Sequence, residues 1–225
     1  GHWKNTGSGA NGIINEVTEA RQVTKRVYDI LKEHKVPATY FEDNASNNQA
    51  QNLNALVKHH NQDRDDLIVS MHFNASNGVT DLDIGTEVLY YNQQELADNL
   101  AKAISDASGL KNRGAKQRTD LAVLAKTYEP AVLIEACFVN SNADVTRYRK
   151  HFEKICFAIA QVLAAHVGYT IKAAVGTPTT AATKKGVEKE LILNSVGRKE
   201  AQDLIRRACK EGVFDASYHT EKRIA

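Results

Sequence analysis

Apolar residues recur at two spacings along this chain, and the alternation between them is the first structural signal. Val17, Ala20, Val23, Val27, Ile30 and Leu31 fall at helical spacing within a charged stretch, which predicts an amphipathic helix over residues 16–34. Residues 36–41 read as a strand, and Leu53, Leu56 and Val57 mark a second helix. Residues 67–73 predict a buried strand and residues 86–91 another. Residues 94–108 return to the helical period and stop at Gly109, a residue that commonly ends helices. The runs 121–124 and 131–138 are short and apolar, as strands are, and Phe152, Ile155, Ile159 and Leu163 set a long final helix ahead of Gly168. Strands apolar on both faces and separated by helices predict an α/β fold, a largely parallel central sheet flanked by helices.

The pattern lapses over residues 173–185, which are small and polar and read as a linker. The expected organisation is a domain over residues 1–172, that linker, and a small helical C-terminal segment over residues 186–225. In this segment Ala201, Leu204, Ile205, Ala208 and Cys209 form one apolar helix side. A domain of about 170 residues buries a core by itself, whereas forty residues are marginal without disulfides or metal. The segment is therefore expected to dock, to self-associate or to belong to a larger module.

Composition narrows the class. The chain of 225 residues is 42% hydrophobic and 25% charged, with 3 prolines, a globular profile. Its one long apolar run, residues 155–167, is broken by Gln161 and His166, so no membrane span is expected. A formal net charge of +2 argues against broad nucleic-acid binding. The opening Gly1-His2-Trp3-Lys4 has no charged-then-apolar leader, which predicts synthesis without a signal peptide. Cys137, Cys156 and Cys209 are odd in number and far apart, so a disulfide framework is not expected.

Functional groups of an open parallel sheet gather where strands end. His72 and Asn74 end one apolar run, Glu16 opens the first helix after a Gly-, Asn- and Ser-rich loop, and Glu135 falls inside the run 131–138. A carboxylate in an apolar strand is costly unless it is paired or metal-bound. One account of Glu135 is a satisfied buried carboxylate without chemistry. Another is a zinc site in which His2, Glu16 and His72 are ligands and Glu135 handles protons beside an open position. With 8 histidines and 27 acids in the chain, such a quartet can be picked by chance.

The surrounding motifs add weight. Gly1-His2, then Gly12-Ile13-Ile14-Asn15-Glu16, then Ser70-Met71-His72-Phe73-Asn74-Ala75, then the stretch from Pro130 through Glu135 to Asn140 occur in this order. Together with Gly85-Thr86-Glu87-Val88-Leu89-Tyr90-Tyr91, Asn112-Arg113-Gly114-Ala115 and Leu121-Ala122-Val123-Leu124, they resemble the zinc-dependent N-acetylmuramoyl-L-alanine amidases of bacterial wall remodelling and phage endolysins. The resemblance covers about residues 1–168 and stops before the C-terminal segment. It implies one zinc ion held by His2, Glu16 and His72, with Glu135 as general acid/base. It also implies peptidoglycan as substrate, cut between the lactyl group of N-acetylmuramic acid and the L-alanine of the stem peptide. Such a protein would be made in the bacterial cytoplasm and act on the wall after release, and residues 186–225 would belong to a wall-binding or oligomerising module.

The chain also departs from the family pattern. An apolar strand usually precedes the Gly-His pair. Either the sequence begins after that strand or the strand is truly absent, and only in the second case is a sheet edge expected to stay unpaired and His2 to hang on a flexible terminus. Trp3 replaces a small residue and is expected to offer an aromatic face to the sugar. The loop between Asn74 and Gly85 is too short for the inhibitory helix of some cellular relatives, which favours a lysin with an open site. His34, His59 and His60 are assigned to surface or helix-end roles, and Cys137 to packing. Arg113 and Arg118 are either ordinary exposed arginines or contacts for the acidic stem peptide. Two rival readings stand beside the amidase: an inactive peptidoglycan-binding module and a zinc carboxypeptidase-like peptidase.

Overall fold

The computed structural model describes residues 1–4, 7–62 and 66–172. The linker and the C-terminal helix expected after residue 172 lie outside the described residues. In chain order the elements are α1 (Glu16–Glu33), α2 (Gln49–His60), β1 (Ile68–Asn74), β2 (Thr86–Tyr90), α3 (Gln94–Ser108), β3 (Asn112–Gln117), α4 (Ala122–Ala125), β4 (Ala131–Phe138) and α5 (Asn142–His166). The strands form one sheet in the order β1-β4-β2-β3. Pairing is parallel for β1 with β4 and for β2 with β3, and antiparallel for β2 with β4. The sheet is thus mixed, parallel at two of its three junctions.

Alternation along the strands divides the interior in two. Met71, Phe73, Val88, Val132 and Ile134 face the main core with Val23 and Ile30 of α1, Leu100 and Ile104 of α3, and Ile155 and Ile159 of α5. The alternate residues Ile68, Leu89, Ala131 and Leu133 form a smaller cluster with Val123 and Leu124 of α4. Helix α1 starts where Asn15 caps it by accepting from the Thr18 backbone N–H at 2.9 Å. Helix α3 stops at Gly109, in the left-handed region at φ 76°, as its sequence predicts.

Three local expectations fail. Residues 121–124 are not a strand: Leu121 caps the single helical turn Ala122–Ala125, which places Val123 and Leu124 in the small apolar cluster. Residues 36–41 belong to no strand. They line a cavity of about 440 Å³ together with Val69 and Met71 of β1. Conversely, the polar segment Asn112–Gln117 is a strand. It sits at the sheet edge, where apolar alternation is not required. No helix among the described residues is long and apolar enough to cross a membrane.

Candidate active site

The sheet brings chemistry together by register. His72 of β1 lies opposite Glu135 of β4, and Glu135 lies opposite Glu87 of β2. Opposed residues share a face, so these three form a polar row on the α4 side of the sheet, beyond the small apolar cluster. Glu16 arrives from the start of α1 and His2 from the N-terminal segment. Among the described residues, His2, Glu16 and His72 form the group able to hold a metal ion, with ligand atoms all within 4.8 Å of one another.

Glu16 is the hub of this group. Its Oε1 lies 3.2 Å from His2 Nε2 and 2.9 Å from His72 Nδ1, and also accepts from the Phe73 backbone N–H at 3.1 Å. Its Oε2 accepts from the Ala10 backbone N–H at 2.7 Å. Burial pushes the Glu16 pKa up, but the hydrogen bonds with His2 and His72 outweigh it and hold the carboxyl well below the usual range. On His72, burial prevails over the pull of Glu16 and drives the imidazole down to about 4. It is neutral at pH 7, the form that ligates metals. His72 Nε2 sits 3.1 Å from Ser70 Oγ, leaving Nδ1 as the atom directed at the cluster.

His2 is held in place by the contacts of its neighbours. The backbone nitrogen of Gly1 donates to Ser70 Oγ at 3.0 Å, and the Lys4 N–H donates to the Asp43 carbonyl at 3.1 Å. Arg21 donates to the carbonyls of Asp43 (2.8 Å) and His2 (3.5 Å) and to the carboxylate of Glu42 (2.8 Å), clamping the segment to residues 42–43. Trp3 is only 7% exposed. Its burial corrects the expectation of an aromatic face for sugar.

Glu135 stands beside the cluster without joining it. Its Oε2 is buried with no hydrogen-bond partner. Burial first, then the carboxylates of Glu16 and Glu87, push its pKa up to about 8, against the opposing influence of Arg118. A half-buried acid with one buried, unpartnered oxygen beside a donor cluster is suited to carrying a proton to and from a substrate. Cys137 is fully buried and unpaired in the main core, turned there by a slip in the β1–β4 register between His72 and Asn74.

The loop between β1 and β2 carries no helix and is pinned beside the site. Asp144 of α5 accepts from the backbone N–H groups of Ile84 (3.0 Å), Gly85 (2.9 Å) and Phe138 (3.2 Å), and Asn140 bonds both to Ser76 and to Gly78. The N-acetylmuramoyl-L-alanine amidase profile matches residues 1–165. The chain belongs to the N-acetylmuramoyl-L-alanine amidase family. Among solved structures, the catalytic domain of the CD27L endolysin targeting Clostridia Difficile is 25% identical, with a TM-score of 0.64 over 76% of this chain and 96% of that domain. An N-acetylmuramoyl-L-alanine amidase from Clostridium difficile 630 shares the fold at 23% identity and a TM-score of 0.63, over 74% of this chain and 92% of that one. An uncharacterized protein of Clostridium perfringens (strain 13 / Type A) is 33% identical over 149 residues, 63% of this chain and 43% of the relative. This amidase-family chain thus spans less than half the length of that relative.

Other expectations resolve at the level of single residues. His59 stacks on Phe41 at 4.0 Å, and His34 caps the end of α1 with Nδ1 2.9 Å from the Ile30 carbonyl. Arg118 is engaged by both oxygens of Asp120. Sequence reasoning missed Glu87, 6% exposed in the middle of the apolar strand β2. The signal was present: a carboxylate in an apolar run, the same cue that drew attention to Glu135.

Proposed function

We propose that this chain is a zinc-dependent hydrolase that cleaves the amide joining the lactyl group of N-acetylmuramic acid to the stem-peptide L-alanine, in the manner of a phage or prophage endolysin. The observation that carries this reading is the convergence of His2, Glu16 and His72 beside the unpartnered carboxyl of Glu135. Two imidazole nitrogens and a carboxylate oxygen are a donor set that fits zinc and leaves a coordination place for water. When bound there, zinc lowers the pKa of its water towards about 7 and polarises the amide carbonyl.

The protein supplies orientation and proton transfer. Ser70 fixes the ring of His72 through Nε2, and the Ala10 and Phe73 N–H groups fix Glu16, so the donors are held before anything binds. The raised pKa belongs to the metal-free site; a cation held by His2, Glu16 and His72 would favour the ionised carboxylate, in which form Glu135 accepts a proton from the attacking water as the new C–O bond forms. It returns that proton to the alanine nitrogen as the C–N bond breaks, so one water is consumed and one acid and one amine leave. The helix-free loop between β1 and β2 and the likeness to an endolysin catalytic domain support the lysin reading over a partner-activated enzyme.

Digestion of purified peptidoglycan tests the assignment. The amidase reading expects intact glycan strands and new free amines on L-alanine, whereas a peptidase frees amines elsewhere in the stem and a binding module frees none. Glu135→Ala is expected to keep its zinc and its fold while losing about 100- to 10,000-fold in turnover. Digestion that exposes no L-alanine amine refutes the amidase reading, and full activity of the variant refutes the role of Glu135.

A further inference from the structure

The polar row that begins at His72 and runs through Glu135 and Glu87 continues onto the fourth strand. Between the paired positions Thr86↔Asn112 and Val88↔Ala115 the β2–β3 register slips, and Arg113 sits in that slip beside Glu87. Its Nε donates to Glu87 Oε2 at 2.7 Å, while Glu87 Oε1 accepts from Asn74 Nδ2 at 3.1 Å. The guanidinium also lies 5.1 Å from the centre of the Phe138 ring. One edge and one face of the group are therefore fixed. The two Nη atoms, which carry four of its five N–H donors, make no hydrogen bond among the described residues, and the side chain is 33% exposed.

Glu87 has both oxygens occupied and is nearly fully buried, a costly placement for a carboxylate. An apolar pair would fill that space more cheaply. What the pair achieves is an oriented guanidinium at the edge of the site with a free fork. Arg118, the other arginine near Glu135, has its own fork closed by Asp120. An arginine fork matches a planar carboxylate with two parallel hydrogen bonds.

We propose that Arg113, oriented by Glu87 and Phe138, is a specificity-determining residue that binds the substrate carboxylate on the residue following the scissile alanine. This rests on the amidase reading above. The scale agrees: two strand spacings separate Arg113 from Glu135, about 10 Å between backbones; one extended alanine covers about 3.5 Å of it, and the side chains of Arg113 and of the next substrate residue close the rest.

A matched pair of muramoyl-peptide substrates tests it, identical except that the residue after alanine bears either a free carboxylate or a carboxamide. Because Arg113→Gln alone strands the buried Glu87, the variant is the double substitution Glu87→Gln/Arg113→Gln, with zinc content and melting temperature measured alongside. The expected result is a fall of about 10- to 100-fold in the ratio of kcat/KM on the carboxylate substrate to that on the carboxamide, carried mainly by KM on the carboxylate substrate. Any effect of Glu87 on the proton transfer by Glu135 acts on both substrates and cancels in the ratio. Equal losses on both substrates, or no loss on either, overturn the role of Arg113, as does a loss that follows amidation of the peptide terminus instead. If the wild-type protein with zinc cleaves neither substrate, the amidase reading itself falls; cleavage of both without discrimination by the variant removes only this inference.

Discussion

Glu135 shows how one residue can be legible from two directions. Its place in an apolar strand marked it in the sequence, and the fold adds a buried oxygen without a partner and a pKa raised to about 8. A carboxyl whose folded pKa lies above its unfolded value of about 4.3 binds a proton in the folded state that the unfolded chain has released. In metal-free protein, stability from this group is therefore full below that lower value and is lost as the pH rises through about 8. Glu135→Gln, which cannot ionise, is expected to be more stable than wild type at pH 8 in the presence of chelator, by on the order of a few kcal/mol, with the gap closing towards pH 5. Denaturant titrations across that range check it; a gap that is constant with pH contradicts the raised pKa. Ser70, a serine in a strand, carries no sequence cue to a role of its own. Its hydrogen bond to His72 predicts that Ser70→Ala weakens zinc binding about 10- to 100-fold, measurable by competition with a chromogenic chelator.

At the level of elements, the legible parts were those with a long, one-sided apolar period. Helices α1 and α3 and strand β4 match their sequence patterns closely because burial of one face, or of both, fixes them. The misread parts are short or at an edge. Four apolar residues at 121–124 suit a helical turn and a strand equally, and only contact with Ile68 and Leu133 decides. The edge strand β3 is polar, and residues 36–41 lack a ladder partner although they look like a strand. Turns can be more demanding than the elements they join. Gly85 enters β2 at φ 107°, and a Cβ there would lie 2.0 Å from the Lys111 carbonyl oxygen, in the turn that Asp144 also holds. Gly85→Ala is therefore expected to cost roughly 2–3 kcal/mol of stability, read by thermal or urea unfolding of the zinc-loaded protein. A loss below about 0.5 kcal/mol would show that this turn relaxes freely.

Across the whole molecule, the site ties together segments distant in sequence. His2 comes from the N-terminal segment, Glu16 from the start of α1, and His72 from the end of β1. The ordered motifs made this grouping visible, yet only the fold distinguishes it from other choices of histidine and acid. It does so through the α1 cap, the Arg21 clamp and the β1–β4 register. A ligand bound only by the folded chain stabilises it in proportion to the logarithm of its concentration over Kd. Zinc is accordingly expected to raise the melting temperature, and chelation to lower it reversibly.

The central claim is that these three side chains grip one zinc ion while Glu135 stays unbound beside it. Zinc stoichiometry by elemental analysis after equilibrium dialysis tests it most directly, applied to wild type, His2→Ala, Glu16→Gln, His72→Ala and Glu135→Gln. The account predicts one zinc per chain in wild type and Glu135→Gln, and a marked loss in each of the other three. Retention of zinc by those three variants, or its loss from Glu135→Gln alone, would contradict it.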